Sequence, residues 1–265
     1  MITAGIDIGS RNCKLILWNR KENRIIYKAQ QESGTTPGET AEKQIEKACE
    51  IHNLKRDMLK ICATGYGRKL INLDYISEIS CHGRGVKVLL PEAATVIDIG
   101  GQDSKVISLD ERGNVQEFAM NDKCAAGTGC FLEKIAELFR LKIDSLGELA
   151  LHSKKRIEIS STCVVFAESE IISLINKKVG RDDILMGVHR SIAKRIKNLL
   201  SMIRWQAPLI MTGGVALNPA IQAALAEELQ IMISVPEYPI FTGALGAALF
   251  ASDIDQCPNE RKRIT

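Results

Sequence analysis

The sequence predicts an α/β protein built from two related halves. The strongest observation is an internal repeat: GIDIGSRNCKLILWNRKENRII, from Gly5, lies beside VIDIGGQDSKVISLDERGNVQEF, from Val96, at a constant offset of 91 residues. Each copy has the pattern of a strand, a glycine-rich turn, a strand, a polar turn and a strand. Strands and helices alternate after each copy, which is typical of sheets covered by helices. We therefore expect two halves of one fold, with a ligand cleft between them.

Composition limits the class of protein. With 265 residues, 45% hydrophobic and 25% charged, the chain is long enough for two small globular domains. A net charge of +3 and an aromatic content of 5% do not favour a nucleic-acid surface. No apolar run reaches the roughly 20 residues of a membrane span, and the N-terminus enters a strand directly, unlike a signal peptide. We expect a cytoplasmic protein that binds neither nucleic acid nor membrane.

The first half is placed at residues 1–92. Its elements follow from strand alternation, helical period and turn residues. The predicted strands are 2–9, Lys14–Trp18, Arg24–Ala29 and Lys60–Ala63, and the predicted helix is Pro37–His52. Residues 68–90 form a helix and linker in this interpretation, with Gly83 and Gly85 interrupting the helical pattern.

The second half is placed at residues 93–265 and restarts the same plan. The predicted strands are Thr95–Gly100, Ser104–Leu109, Val115–Met120, Pro208–Met211 and Ile231–Val235. The predicted helices are Gly129–Leu141, Val164–Lys178, Asp182–Arg204, Pro219–Leu229 and Thr242–Ser252, the last of which is open to pack back on the first half. The charged tail from Pro258 is expected to fray.

The two Asp-Ile-Gly turns indicate phosphate chemistry. A backbone without Cβ atoms can approach phosphate oxygens and donate its N–H groups to them. We expect phosphate contacts from Gly9 and Ser10 in the first turn and from Gly100 and Gly101 in the second. The carboxylates Asp7 and Asp98 are expected to face each other and to hold Mg²⁺ through water, because Mg²⁺ keeps most of its waters.

A third glycine turn, TGGVALN, follows an apolar strand. Gly213, Gly214, Val215 and Asn218 lie at or beside this turn. With the two Asp-Ile-Gly turns it resembles the ATPase superfamily of actin, Hsp70 chaperones and sugar kinases. The resemblance implies two duplicated actin/Hsp70/ribonuclease-H-like domains with an ATP cleft between them. It further implies that the first two turns hold phosphate and that the third holds the adenosine of ATP or ADP.

Two cysteines mark the second half alone. Cys124 stands in NDKCAAGTG before one predicted helix, and Cys163 stands 39 residues later in SSTC before another. A helix N-terminus favours the thiolate over the thiol. The other cysteines are expected to be small buried residues, because the chain has no export signal and no CxxC pair. Cys130 is interpreted as a packing residue about one turn into its helix.

Together, MNDKCAAGTG, STCVVFAESE, DIGGQDSK, TGYGR and TGGV resemble the activator ATPases of 2-hydroxyacyl-CoA dehydratases, a family that includes ATP-binding subunits of benzoyl-CoA reductase. The match runs nearly end to end. It implies a homodimer with one [4Fe–4S] cluster held by Cys124 and Cys163 of each subunit. It also implies ferredoxin or flavodoxin as electron donor and a dehydratase or reductase component as acceptor.

The resemblance also implies roles for single residues. Gln102 or Asp103 orients the attacking water, and Glu168 is a candidate for the ribose. The first turn departs from the Gly-Ser-Thr that is common in the family, because Arg11 follows Ser10; Arg11 is a candidate to face phosphate instead. Whether Lys14 and Lys105 contact ATP stays open.

Two other functions are compatible with the same fold. A small-molecule kinase acting on a sugar or acyl group would be colourless, and its ATP turnover would depend on an added acceptor. A non-catalytic ATP-binding scaffold would bind nucleotide without hydrolysing it. The kinase would need an acceptor pocket with a base, and no spare motif in the sequence suggests one.

Overall fold

The computed structural model describes residues 1–160 and 163–253, so the predicted charged tail from Pro258 lies outside the described residues. Contacts divide the chain into two compact units. Unit 1 contains residues 1–92, 109–115 and the described part of the chain from Ile240; unit 2 contains residues 93–108 and 116–239. Each unit contains a five-stranded sheet covered by helices, so the predicted α/β class is confirmed.

The strands and helices are numbered here in chain order. The strands are β1 Ile2–Ile8, β2 Asn12–Asn19, β3 Arg24–Glu32, β4 Lys60–Thr64, β5 Asp74–Tyr75, β6 Thr95–Ile99, β7 Ser104–Leu109, β8 Val115–Asn121, β9 Leu209–Thr212 and β10 Ile233–Ser234. The α-helices are α1 Pro37–Ile51, α2 Glu78–Leu89, α3 Gly129–Phe139, α4 Ser145–Leu151, α5 Val164–Asn176, α6 Arg181–Leu200, α7 Pro219–Leu229 and α8 Thr242–Ala251.

The two sheets have equivalent topologies. In unit 1 the strand order is β3-β2-β1-β4-β5, and in unit 2 it is β8-β7-β6-β9-β10, read from the corresponding edge. The central strand of each pairs antiparallel with the next strand of the meander and parallel with a later strand. This topology confirms the two predicted meanders. The sequence could predict them because strand alternation and tight polar turns are local signals that need no partner strand to be recognised.

The register places the same residue types around both aspartates. Asp7 on β1 is paired with Lys14 on β2 and with Thr64 on β4. Asp98 on β6 is paired with Lys105 on β7 and with Thr212 on β9. The duplication therefore extends to a fourth strand in each unit, where the sequence repeat at offset 91 no longer applies.

The expectation that Gly83 and Gly85 interrupt a helix is wrong. Both glycines are buried inside the continuous helix α2. A Cβ on Gly85 would lie 2.0 Å from Thr242 O, and a Cβ on Gly246 of α8 would lie 1.8 Å from Cys81 O. These glycines are present because α2 and α8 pack backbone against backbone, which outweighs the helix propensity that glycine loses. The short elements α4 and β5 were also not predicted.

Replacing Gly85 with alanine should destabilise unit 1. The added methyl meets a backbone oxygen at 2.0 Å, so the two helices must separate. We expect the free energy of unfolding to fall by about 3 kcal/mol, measured by urea denaturation of the purified protein.

Gly214→Ala is the control for this substitution, because its added methyl meets no atom within 4 Å. The control should shift the free energy of unfolding by less than about 1 kcal/mol. Equal stabilities for the two variants would contradict the close packing of α2 on α8.

Candidate functional site

The first glycine turn connects β1 to β2 in unit 1. The Gly9 N–H donates to Asn12 O at 3.1 Å, and the hydroxyl of Ser33 donates to Gly9 O at 2.6 Å. Ser10 and Arg11 at the tip of the turn are exposed. Hydrogen bonds to Gly9 therefore hold the turn in place while the residues at its tip remain accessible, as a phosphate-binding turn requires.

The carboxylate of Asp7 stands at the base of this turn. Asp7 is only 6% exposed, and Lys14 Nζ lies 3.3 Å from its Oδ2 atom. A buried carboxylate is costly unless it is paired with a positive charge or a hydrogen-bond donor. Lys14 supplies that charge beside the Asp7 carboxylate.

The second turn, in unit 2, has the same backbone geometry. The Gly100 N–H donates to Asp103 O at 2.9 Å, at positions equivalent to Gly9 and Asn12. Gly101 is half-buried and Gln102 is exposed at the tip of the turn. The two copies therefore form turns with the same hydrogen bond, although their tip residues differ.

Asp98 is more completely buried than Asp7. Asp98 is 3% exposed, and the hydroxyl of Thr212 donates to its Oδ1 atom at 2.8 Å. Lys105 is 2% exposed; its Nζ lies 3.6 Å from Asp98 Oδ2 and 2.8 Å from Asp103 Oδ2. The buried Asp98 and Lys105 and the half-buried Asp103 form one charged cluster, and the sequence did not show that Lys105 points inward.

The third turn repeats a feature of the first unit that the sequence analysis missed. Thr64-Gly65 after β4 and Thr212-Gly213 after β9 are the same dipeptide, and both glycines have positive φ angles, of 85° and 86°. A Cβ on Gly65 would lie 2.7 Å from Ile8 O, and one on Gly213 would lie 2.2 Å from Ile99 O. Each glycine therefore allows the chain to turn against the strand that carries the aspartate.

The predicted site residues around the third turn differ in burial and in hydrogen bonding. A Cβ on Gly214 would meet no atom within 4 Å, whereas Val215 is buried. The Asn218 side chain accepts from the N–H groups of Ala220 and Ile221 at 3.0 and 3.3 Å and so caps α7. Asn218 therefore has a structural role, and the prediction that it holds adenosine stays a prediction.

Asn218 also contacts a buried histidine on α6. The Asn218 Nδ2 atom lies 3.0 Å from His189 Nε2, and His189 Nδ1 lies 2.7 Å from Leu185 O. These partners assign the proton to Nδ1 and leave Nε2 as the acceptor. Burial lowers the pKa of His189 to about 4, against hydrogen bonds that act in the opposite direction.

The cysteines divide sharply by exposure. Cys124 and Cys163 are exposed, Cys130 is half-buried, and the remaining described cysteines, which are Cys13, Cys49, Cys62 and Cys81, are buried. Burial raises the pKa of these four thiols, in the case of Cys62 to about 12. Among the described cysteines, only the two predicted ligands, Cys124 and Cys163, are exposed.

The two exposed cysteines begin different kinds of helix. Cys163 is the N-cap residue of α5, as predicted. Cys124 caps only the three-residue 3₁₀ turn Ala125–Gly127, and α3 starts at Gly129. Cys130 is the second residue of α3, nearer its start than predicted. Glu168, the ribose candidate, is exposed on α5.

The second turn is joined directly to the helix after Cys124. The first two residues of α3 donate hydrogen bonds to the second glycine turn. The Gly129 N–H donates to Gly100 O at 2.9 Å, and the Cys130 N–H donates to Gly101 O at 2.8 Å. N–H groups in the first turn of a helix have no partner within that helix, and here the glycine turn supplies one. A displacement of Gly100 or Gly101 must therefore act on the start of α3.

Two findings concern metal-binding clusters and membrane-spanning helices. Within residues 1–160 and 163–253, no group of three or more histidine, cysteine, aspartate or glutamate residues is arranged to hold a metal ion. None of the described helices is long and apolar enough to cross a membrane.

A family model described as the BadF/BadG/BcrA/BcrD ATPase family matches residues 4–251. The (R)-2-hydroxyglutaryl-CoA dehydratase activating ATPase of Acidaminococcus fermentans is 44% identical over 253 residues, covering 94% of this chain and 96% of that protein. The structure of the activator of the 2-hydroxyisocaproyl-CoA dehydratase from Clostridium difficile with bound ADPNP has a TM-score of 0.88 at 42% identity and covers all of both chains.

A more distant structure confirms the predicted fold class. A ROK family glucokinase from Streptomyces griseus, in complex with glucose and AMPPNP, aligns with a TM-score of 0.57 at 15% identity. The alignment covers 96% of this chain and 100% of that chain. At this identity the likeness shows the fold alone, which is the duplicated fold of the actin and sugar-kinase superfamily.

The buried His189 should make the protein sensitive to acid. Because its folded pKa of about 4 lies below the ordinary value of 6.5, the unfolded chain takes up the proton first as the pH falls. Stability from this group is complete above pH 6.5 and is lost between pH 6.5 and 4, by about 3 kcal/mol. Urea denaturation at several pH values measures this loss.

His189→Gln should flatten this pH dependence, because glutamine does not titrate. The difference in lost stability between wild type and variant gives the contribution of the histidine, separate from that of carboxylates that titrate in a similar pH range. If both proteins lose the same stability between pH 6.5 and 4, the buried neutral imidazole is not the cause.

Proposed function

The chain belongs to the BadF/BadG/BcrA/BcrD ATPase family, and on that premise we propose that it is the ATP-hydrolysing activator of a 2-hydroxyacyl-CoA dehydratase or a related reductase. Relatives with this activity in their names match it over nearly its whole length. In this proposal, ATP hydrolysis is coupled to the transfer of one electron at low potential. The observation that carries the proposal is the pair of exposed cysteines, Cys124 and Cys163, in the unit that also carries the second phosphate turn.

The nucleotide site of the proposal follows the three glycine turns. Gly9, Ser10 and Arg11 contact phosphate in unit 1, and Gly100 and Gly101 do so in unit 2. Asp7 and Asp98 fit a role in holding Mg²⁺ through water, since each is a buried carboxylate near a strand end with a lysine ammonium beside it. Gly213, Gly214 and Val215 hold the adenosine, with the open space at Gly214 available to it.

Hydrolysis requires a residue that orients the attacking water. Asp103 is bonded to the buried Lys105 at 2.8 Å, whereas Gln102 beside it is exposed at the tip of the turn. An amide can accept from water and donate to a phosphate oxygen together. We therefore favour Gln102 as the residue that orients the water and Asp103 as its support. Positioning and electrostatics carry most of the catalysis in phosphoryl transfer.

The cysteine pair fits a [4Fe–4S] cluster shared by two subunits. Such a cluster takes four thiolates, and each chain offers two exposed cysteines in helix-capping positions. A symmetric homodimer therefore completes the ligand set. When bound, the cluster supplies one-electron chemistry, with ferredoxin or flavodoxin as donor and the dehydratase or reductase component as acceptor.

ATP can act on the cysteine loop through the second turn. Gly100 O and Gly101 O accept the first two N–H groups of α3, and Cys124 precedes that helix by five residues. A nucleotide shifts a conformational equilibrium only by its differential affinity for the two states. If ATP and ADP hold the glycine turn differently, the hydrogen bonds transmit that difference to the start of α3.

Anaerobic purification tests the cluster. We expect a brown protein with about four irons and four sulfides per dimer. Cys124→Ala and Cys163→Ala should each lose the cluster, because each removes two of its four ligands in a symmetric dimer. Ultraviolet–visible spectra with iron and sulfide analysis provide the measurement.

Cys130→Ala is the control variant, since it removes a neighbouring thiol that the proposal assigns to packing, and it should retain the cluster. A wild-type protein that stays colourless after anaerobic reconstitution with iron and sulfide would sink the proposal. Acceptor-dependent ATP turnover in that colourless protein would instead indicate the small-molecule kinase.

The adenosine role of the third turn is tested by Gly214→Val. No atom lies within 4 Å of the Cβ position at Gly214, so valine should not disturb the fold. If adenosine packs against this backbone, the larger side chain should weaken nucleotide binding at least about tenfold, or about 1.4 kcal/mol. Calorimetric titration with ADP measures the affinity. Unchanged affinity would place the adenosine elsewhere.

A further inference from the structure

The anchor of the Cys124 loop is Asn121, the last residue of β8. Its Nδ2 atom donates to Cys124 O at 2.7 Å, and the Cys124 N–H donates to Asn121 Oδ1 at 3.2 Å. One side chain thus binds both the N–H and the carbonyl of the cysteine itself. The segment is exposed, so few packing contacts are available to fix its geometry.

The second anchor is Glu170, which accepts hydrogen bonds from Ser160, three residues before Cys163. The Ser160 N–H donates to both carboxylate oxygens of Glu170, at 3.0 and 3.1 Å, and the Ser160 hydroxyl donates to Oε1 at 3.0 Å. Glu170 lies on α5, the helix that Cys163 caps. The carboxylate therefore ties the chain before Cys163 to the helix after it.

The two anchors differ in position and in chemistry. Asn121 stands three residues before Cys124 and binds the peptide of that cysteine itself. Glu170 stands seven residues after Cys163 and binds Ser160, which stands three residues before that cysteine. Each anchor is a planar amide or carboxylate group that makes at least two hydrogen bonds. Such hydrogen bonds lower the cost of ordering exposed loops when a ligand binds.

We propose that Asn121 and Glu170 are positioning residues for a [4Fe–4S] cluster, Asn121 by holding the Cys124 peptide and Glu170 by holding Ser160 to the helix that Cys163 caps. This inference rests on the proposed function and deepens it, since it names the groups that fix the ligands. Partners of metal ligands orient them, and their loss typically lowers metal affinity by about 10- to 100-fold. The same two residues set how tightly the cluster is retained.

The test uses the homodimer with its cluster reconstituted anaerobically from ferrous iron and sulfide. Asn121→Ala and Glu170→Ala should each release iron to a chelator about 10- to 100-fold faster than wild type. Glu170→Gln keeps an oxygen that can accept from Ser160, so it should restore most of the retention that Glu170→Ala loses. The electron paramagnetic resonance spectrum of the reduced cluster should change in the alanine variants and return towards wild type in Glu170→Gln.

Two control variants separate this effect from general loss of surface hydrogen bonds. Asn114 binds Asp110 at 2.8 Å in another turn, and Glu137 pairs with Lys134 at 2.7 Å on α3. Asn114→Ala and Glu137→Ala should release iron at the wild-type rate. Amide exchange of cluster-free protein adds an independent measurement: the Cys124 N–H should exchange faster in Asn121→Ala than in wild type.

The outcomes distinguish this inference from the function it rests on. Wild-type release rates and spectra in both alanine variants, with the cluster present throughout, would overturn the positioning role alone. A wild-type protein that takes up no cluster would overturn the proposed function and this inference together. Equally fast iron release from the controls would show that the anchors act only as ordinary surface contacts, which also overturns the inference.

Discussion

The ion pair between a strand-end aspartate and a lysine on the neighbouring strand is the constraint on which both units depend. Asp7 with Lys14 and Asp98 with Lys105 are paired directly across the first hairpin of each unit. A buried carboxylate without this partner would lose its charge or destabilise the sheet. The pair places a lysine ammonium beside a buried carboxylate at the point where each glycine turn begins, and the phosphate chemistry that we propose uses that carboxylate.

The glycines follow from the same constraint. Gly65 and Gly213 turn the chain tightly against the strands that carry Asp7 and Asp98, and a side chain at either position would strike that strand. In unit 1, Gly85 and Gly246 then let α2 and α8 pack without side chains between them. These four glycines therefore serve close backbone contact.

The two units differ where their functions diverge. Unit 1 anchors its turn with Ser33, whereas unit 2 joins the carbonyls of its turn to the first N–H groups of α3. Cys124 lies just before that helix, and one amide side chain fixes its peptide. In one copy only, the duplicated glycine turn is thus hydrogen-bonded to the start of the helix that follows Cys124.

By itself, the sequence determined the duplication, both meanders, the longer helices and the two cysteines at helix starts. These depend on alternation, turn residues and spacing, which act over a few residues. Only the tertiary structure decided that α2 continues through Gly83 and Gly85, that Lys105 points inward and that Asn218 caps a helix. It also decided that Asn121 binds the Cys124 peptide and that Glu170 binds Ser160. Most of these depend on contacts between residues distant in the chain, and even the nearer ones depend on side-chain directions that local pattern does not encode.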